Sequence, residues 1–136
     1  MTNRQPSQED NTATSANTEL VRRYFQARWN DKDFAIVDEL TPTANAPEHK
    51  AWLKAQHDAL GDTHLTIEEL IADGDRVALR WQLTAIHQGE YLGVAPTGEP
   101  VTFHGLALLR VEDGQIVSDV AYGDHLQVLL HRGRPG

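Results

Sequence analysis

Two residues near predicted strand ends, His87 and Asp124, could carry out proton transfer. His87 continues the apolar face of a predicted strand, and Asp124 follows the last predicted strand. An aspartate has an ordinary pKa near ~3.9, and removal from water raises that pKa toward a value useful for a general base. A nearby imidazole could donate a hydrogen bond to a substrate oxygen on which charge develops. Such a pair could remove a proton next to a carbonyl group and stabilise the enolate.

Each of these residues also has a structural interpretation. His87 could be a core or loop-anchoring histidine bonded to the backbone of the Gly89–Gly93 turn, and we weigh this role equally with a functional one. Asp124 could cap the final helical segment, because aspartate is favoured at helix N-termini. The other histidines are expected to face away from the predicted interior, namely His49, His57, His64, His104, His125 and His131.

The segment His87–Gly98 connects the two longest predicted strands. It holds three glycines, one proline and one histidine. Connections of this length are often functional or disordered, so we expect this one to form the mouth of a binding site. Aromatic residues predicted to face inward could bind a flat apolar substrate. The candidates are Tyr24, Trp29, Trp81, Tyr91, Phe103 and Tyr122.

Apolar periodicity predicts helices first and strands afterwards. Helical spacing predicts helices over 17–30 and 47–61, with a short helix between them that Asp31 and Asp33 open. A period of two then predicts strands over 64–72, 77–88, 101–111 and 115–122, followed by a short apolar segment at 126–130. This order indicates an α+β fold, in which N-terminal helices pack on a strongly curved, mainly antiparallel sheet and form a cone with an internal pocket.

Strand parity identifies the inward faces. In the 77–88 strand, alternate residues from Val77 to His87 are apolar and are expected to face the core. In the 115–122 strand, the same rule places Ile116, Val120 and Tyr122 inward, and Asp124 continues that face. A bulge in either strand would reverse this assignment.

Composition limits the class of protein. The chain has 136 residues and a net charge of −8, which fits one domain over 17–136 after a disordered polar tail at 1–16. The acidic balance argues against binding of nucleic acid or anionic membrane. Cysteine is absent, and neither a leader segment nor histidines at metal-ligand spacing are visible. We therefore expect a cytoplasmic protein without a metal or cofactor.

Four stretches resemble the SnoaL-like polyketide cyclase family, which belongs to the nuclear transport factor/ketosteroid isomerase superfamily. They are IADGDRVALRW from Ile71, HQGEYLGVAPTG from His87, LRVEDGQI from Leu109 and YGDHL from Tyr122. The resemblance covers about 18–133. Two features depart from the family pattern: Ala107 replaces a polar pocket histidine, and the 41–48 segment is short.

The resemblance implies a conical fold with a deep apolar pocket, usually in a homodimer that packs through its sheets. It also implies that Asp124 is the general acid/base of an intramolecular aldol cyclisation that uses neither metal nor cofactor. His87 matches the histidine of the family's H-x-G pattern. We therefore expect an aldol cyclisation or isomerisation of an apolar carbonyl compound, with His87 or Tyr122 orienting it.

Two alternatives remain open at this stage. The protein could bind a hydrophobic metabolite without transforming it, in which case the Asp124 carboxylate would matter little. It could also be a hydrolase or dehydratase on the same fold, which would require a second acid in the pocket.

Overall fold

The structure is a computed structural model that describes residues 8–132. Helices come first along the chain: α1 (Gln8–Phe25), a π-helical turn (Gln26–Asn30), α2 (Ala35–Leu40), a 3₁₀ turn (Thr43–Asn45) and α3 (Ala46–Ala59). Strands follow, before a last helix: β1 (Leu60–Asp73), β2 (Arg76–His87), β3 (Pro100–Glu112), β4 (Gln115–Gly123) and α4 (His125–Arg132). The strands form one antiparallel sheet in the order β1-β2-β3-β4, which confirms the α+β fold class.

Helix α1 starts earlier than the apolar pattern predicted. It begins at Gln8, so residues 8–16 are helical, although we assigned them to a disordered tail. The predicted caps lie inside the helix: Thr18 Oγ1 donates to Thr14 O at 2.9 Å, and Asn17 Nδ2 donates to Gly74 O at 2.9 Å. Four of these nine residues, Gln8, Glu9, Ala13 and Ala16, have good helix propensity, but the segment carries no apolar stripe, so apolar spacing does not predict it. The rest of the predicted tail, 1–7, lies outside the described residues.

Helix α1 continues into the π-helical turn. Hydrogen bonds from two side chains, those of Asn30 and Thr63, connect this turn to β1. Asn30 Oδ1 accepts from Leu65 N at 2.7 Å, and Asn30 Nδ2 donates to Leu65 O at 3.0 Å. Thr63 Oγ1 donates to Trp29 O at 2.7 Å. Such π-helical turns are rare and often occur at functional sites. Here the turn buries Arg28 and Trp29.

The second and third helices follow the prediction with one change. Asp33 Oδ1 accepts from Ala35 N at 3.2 Å at the start of α2, and Pro47 lies in the first turn of α3. Helix α3 ends at Ala59, and Gly61 already belongs to β1, where it pairs with Ile86. A side chain at Gly61 would overlap that of Gln88. This glycine therefore permits close approach to Gln88 rather than ending a helix.

The central strand β2 confirms the predicted parity along its whole length. Its inward residues are all buried: Val77, Leu79, Trp81, Leu83, Ala85 and His87. The hairpin turns are also confirmed. Gly74 has a φ of +61°, and Asp113 and Gly114 have φ of +51° and +75°, as a tight turn between antiparallel strands requires.

Strand β4 contains a bulge that reverses the predicted parity. Val111 pairs with Ile116, but Arg110 pairs with Ser118, so one extra residue, Val117, lies between the two pairs. Beyond the bulge, Asp119 is opposite the buried Leu109 and therefore shares its inward face. The prediction is correct for Ile116 and wrong for the three later residues of its face: Val120, Tyr122 and Asp124.

Candidate functional site

A cavity of about 830 Å³ lies between the sheet and the helices. Its volume is in the range of sites that hold drug-sized ligands. All three tryptophans of the chain, Trp29, Trp52 and Trp81, lie in its wall together with Tyr24 and Tyr91. The wall can therefore contact a flat apolar molecule over a large area.

Exposed apolar side chains surround the entrance of this cavity. Trp52, Leu92 and Leu126 line it and are each about half exposed. Leu92 and Tyr91 belong to the His87–Gly98 segment, which folds back through paired backbone hydrogen bonds between Tyr91 and Val94 at 2.9 and 3.0 Å. The predicted mouth segment therefore does border a cavity, and its apolar rim favours entry of an apolar ligand.

The polar centre of the cavity is an arginine–aspartate pair that the sequence analysis did not identify. Arg28 comes from the π-helical turn and Asp119 from the inward face of β4. Arg28 Nη1 lies 3.7 Å from Asp119 Oδ2, which is longer than a hydrogen bond. Arg28 is 4 % exposed, and among the described residues its Nε and Nη1 have no hydrogen-bond partner. Two buried donors of a residue that lines the cavity thus lack a partner.

Aromatic rings and a histidine hold Arg28 in place. The guanidinium carbon lies 4.2 Å from the centre of the Tyr24 ring and 5.4 Å from that of Phe25, distances at which a cation is attracted to an aromatic face. His57 Nε2 donates to Arg28 O at 2.7 Å. His57 was predicted to face solvent, but it is buried because it packs behind the π-helical turn.

The carboxylate of Asp119 has an altered proton affinity. Burial raises the pKa of Asp119, and the neighbouring Arg28 partly opposes this rise. The residue as a whole is exposed and its main chain lies on an edge strand of the sheet, but its side chain is only 22 % exposed. A carboxylate with a raised pKa is a better proton acceptor near neutral pH than an ordinary aspartate.

Tyr24 and His49 extend this polar centre. Tyr24 Oη lies 3.4 Å from His49 Nε2, and both residues line the cavity. Burial raises the pKa of Tyr24 to about 12, so its hydroxyl stays protonated. Burial, followed by Arg28, lowers the pKa of His49 to about 4, so its ring is neutral at pH 7. His49 was predicted to face solvent, and the structure instead places it on the cavity wall.

His87 is in the core and not in the cavity wall. Its side chain is fully buried, and the residues that line the cavity do not include it. His87 N donates to Glu99 O at 3.0 Å, Gly98 N donates to His87 O at 2.8 Å, and Thr97 Oγ1 lies 3.4 Å from His87 Nδ1. His87 is therefore a core histidine, as the structural alternative held. Its backbone hydrogen bonds hold the end of the loop, at Gly98 and Glu99, rather than the Gly89–Gly93 turn.

Asp124 faces away from the cavity. Its Oδ1 accepts from His104 N at 2.8 Å, and its Oδ2 lies 3.8 Å from His104 Nδ1. Neither residue belongs to the cavity wall. The predicted pairing of His87 with Asp124 in a shared cavity is therefore wrong, because the bulge at Val117 exchanges the two faces of β4.

The predicted aromatic residues are mostly placed as expected. Tyr24, Trp29, Trp81 and Tyr91 line the cavity. Phe103 is fully buried and lies behind the wall. Tyr122 also belongs to the cavity lining but is 77 % exposed.

Two of the residues that sequence reasoning missed left different signals. Arg28 follows Val21 and Tyr24 by seven and four residues, so it lies on the apolar stripe of the first helix. A charged residue on such a stripe is unusual and therefore marks a candidate functional position. Asp119 has no comparable signal, because only the bulge brings it inward.

Neither metal ligation nor membrane crossing has support within residues 8–132. That part of the chain has no group of three or more histidine, aspartate or glutamate side chains arranged to hold a metal ion. Its helices are also too short or too polar to span a membrane.

Comparison with known proteins identifies the family. A family model described as SnoaL-like polyketide cyclase matches residues 19–131. AclR from Streptomyces galilaeus, a candidate hydroxylase, is 30 % identical, with a TM-score of 0.74 over 88 % of this chain and 96 % of AclR. A search of curated proteins finds no match.

Other solved structures share the fold at lower identity. A candidate SnoaL-like polyketide cyclase from Jannaschia sp. CCS1 is 21 % identical, with a TM-score of 0.82 over 100 % of both chains. IdmH from Streptomyces antibioticus, a candidate polyketide cyclase, is 22 % identical, with a TM-score of 0.73 over 87 % of this chain and 99 % of IdmH. The chain therefore belongs to the SnoaL-like polyketide cyclase family.

Proposed function

We propose that this protein removes a proton from the carbon next to a carbonyl group in an apolar small molecule, and that the enolate then closes a ring by aldol addition or isomerises. The observation that carries the proposal is the Arg28–Asp119 pair in the cavity wall. The pair combines a carboxylate of raised pKa, whose side chain is 22 % exposed, with a buried guanidinium whose Nε and Nη1 have no partner among the described residues. Membership of a family described as polyketide cyclases supports the same chemistry.

In this mechanism Asp119 is the general base. Its carboxylate takes the proton from the α-carbon, the electron pair of the C–H bond forms the enolate double bond, and the carbonyl electron pair moves onto oxygen. The guanidinium of Arg28, which lines the cavity, donates hydrogen bonds to that oxygen as its charge develops. The enolate carbon then bonds to a second carbonyl carbon, and Asp119 returns its proton to the new alkoxide. Substrate and product are isomers, so the reaction is redox-neutral.

The 3.7 Å separation between the guanidinium and the carboxylate suits both roles. A closer, fully hydrogen-bonded ion pair would hold the carboxylate ionised with a depressed pKa and would occupy the donors of Arg28. At the observed distance, burial outweighs the effect of Arg28 on the pKa of Asp119. The carboxylate therefore keeps its basicity, and the guanidinium keeps donors for the substrate.

The resemblance to AclR favours hydroxylation as a second candidate function. AclR is described as a candidate hydroxylase. An enolate formed by Asp119 could attack dioxygen instead of a second carbonyl and give a hydroperoxide, which an external two-electron reductant such as a thiol would convert to the alcohol while the second oxygen atom leaves as water. The two functions share the deprotonation step but differ in their products. Cyclisation preserves the mass of the substrate, whereas hydroxylation adds the mass of one oxygen atom.

Hydrogen–deuterium exchange at the α-carbon of 2-tetralone, a fused-ring ketone, tests the shared step by proton NMR in D₂O. We expect the wild-type protein to accelerate exchange and Asp119→Asn to reduce the rate by roughly 10²- to 10⁴-fold. Asp124→Asn is the matched control, since it makes the same chemical change just after β4 at a residue outside the cavity wall, and it should retain the wild-type rate.

Binding of 2-tetralone is followed separately through the three tryptophans of the cavity wall. 2-Tetralone should quench the tryptophan fluorescence of Asp119→Asn with the wild-type affinity, because this substitution preserves the shape of the cavity. Full exchange activity in Asp119→Asn would refute the proposal. Binding without exchange in the wild-type protein would also refute it and would favour a non-catalytic binding protein.

A further inference from the structure

A second polar side chain lies on the cavity wall, away from the Arg28–Asp119 pair. His125 is the first residue of α4, and its ring lines the cavity. Three aromatic rings surround it, with centroid distances of 4.5 Å to Phe103, 5.3 Å to Trp81 and 6.2 Å to Tyr91. The imidazole is therefore fixed in an aromatic part of the wall.

Two facing glycines make room for this arrangement. Gly105 of β3 and Gly123 of β4 are direct partners in the sheet. A Cβ atom on Gly123 would overlap the ring of His125, and a Cβ atom on Gly105 would overlap the ring of Trp81. We refer to Gly105 and Gly123 as the glycine pair. Because this pair lacks side chains, the two rings can lie against the backbone of β3 and β4.

The imidazole of His125 has hydrogen-bonding capacity that its surroundings do not use. The carboxylate of the preceding residue, Asp124, bonds to His104 instead. Burial lowers the pKa of His125, and the charge of Asp124 opposes this only in part. The neutral ring carries one donor and one acceptor nitrogen. Among residues 8–132 neither nitrogen has a hydrogen-bond partner, so a ligand in the cavity can supply one.

Asp119 lies in the middle of β4, and His125 lies two residues beyond the end of this strand. Gly123 is the fourth residue after Asp119, which corresponds to ~13 Å along a strand at about 3.3 Å per residue. His125 follows Gly123 and lies on the same wall. Polar groups with this separation match a flat molecule that carries an oxygen at each end of its long axis.

We propose that His125 is a specificity-determining residue that hydrogen-bonds an oxygen at the far end of an elongated, flat ligand. The other end of the ligand lies at Arg28 and Asp119, and that placement of the reacting carbonyl rests on the proposed function. The contact at His125 is a binding contact, so it can be tested without turnover.

The test compares two probes by tryptophan fluorescence. 2,6-Dihydroxyanthraquinone has a hydroxyl at each end of its long axis, and 2-hydroxyanthraquinone has only one. We expect the wild-type protein to bind the dihydroxy compound about five- to tenfold more tightly, as one additional hydrogen bond allows. His125→Phe keeps the aromatic packing but removes both nitrogens, so it should abolish this preference and leave the affinity for 2-hydroxyanthraquinone unchanged.

Two further variants separate recognition from folding. His125→Gln retains a donor and an acceptor and should restore part of the preference. His104→Phe makes the same change as His125→Phe on the outer face and should retain the full preference. A wild-type-like preference in His125→Phe, or its loss in His104→Phe, would overturn the proposal. Because the test measures binding alone, a failure of α-proton exchange would leave its outcome interpretable.

Discussion

Replacing Arg28 with methionine tests the electrostatic coupling at the centre of the site. Methionine approximates the length and apolar stem of arginine but carries no charge, so it leaves the Asp119 carboxylate without its nearest cation. We expect Arg28→Met to raise the pKa of Asp119 above its already raised value. At neutral pH a smaller fraction of Asp119 would then be ionised, and α-proton exchange would slow.

The size of this shift follows from the distance between the charges. At 3.7 Å and an effective dielectric constant of about 20, two unit charges interact by about 4.5 kcal/mol. One pKa unit corresponds to about 1.4 kcal/mol, so the upper limit is about three units. Solvent reaches 22 % of the Asp119 side chain and screens part of this interaction. We therefore expect an increase of about one to three units.

Carbon-13 NMR of protein labelled at the aspartate carboxyls measures the shift directly. Asp119→Asn identifies the Asp119 resonance by its disappearance, and titration of the wild-type protein and Arg28→Met gives the two midpoints. Arg23→Met is the control, because Arg23 is exposed and pairs with Glu39 instead. An unchanged or lower midpoint in folded Arg28→Met would show that the guanidinium does not act on this carboxylate.

Three further changes test the packing, the acid sensitivity and the assembly of the protein. Gly105→Ala should lower the free energy of unfolding in urea by about 1–3 kcal/mol, because the added methyl overlaps the Trp81 ring; wild-type stability would contradict the packing described for the glycine pair. Between pH 6.5 and about 4 the unfolded state binds a proton that folded His49 does not, so stability falls as pH falls through this range. His49→Gln should reduce that loss by about 1–2 kcal/mol after allowance for solvent screening, and an unchanged pH profile in chemical denaturation would refute the account. Leu108 is exposed on the outer sheet face. If the sheet forms the homodimer that the family resemblance implies, light scattering should show that Leu108→Glu converts the dimer into a monomer. A monomeric wild-type protein would exclude that dimer.

Regular periodicity made much of the fold predictable. The alternation from Val77 to His87 identified every buried residue of the inward face of β2, because no bulge interrupts its pairing with β3. The hairpins were predictable because Gly74 and the Asp113–Gly114 pair adopt positive φ where tight turns require it. The aromatic wall was largely predictable for the same reason, since Trp81 follows the strand period.

The polar centre of the site was not predictable in the same way. Counting alternate residues along a strand assigns the wrong face to every residue after a bulge. In β4 the extra residue Val117 places Asp119 on the inward face and Asp124 on the outward side. Nothing in the composition of β4 marks this bulge. Arg28 left a detectable signal on the apolar stripe, but its burial depends on the π-helical turn, which apolar spacing alone does not predict.

Ligand protection of single cysteines tests most directly which carboxylate position faces the cavity. The chain contains no cysteine, so Asp119→Cys and Asp124→Cys each introduce one thiol at a defined position. Alkylation by iodoacetamide is measured with and without saturating 2,6-dihydroxyanthraquinone, and tryptophan fluorescence verifies that each variant binds the compound. We expect the ligand to slow modification of Asp119→Cys and to leave Asp124→Cys unaffected. Protection of Asp124→Cys alone would contradict the bulged register of β4 and the active site that we propose from it.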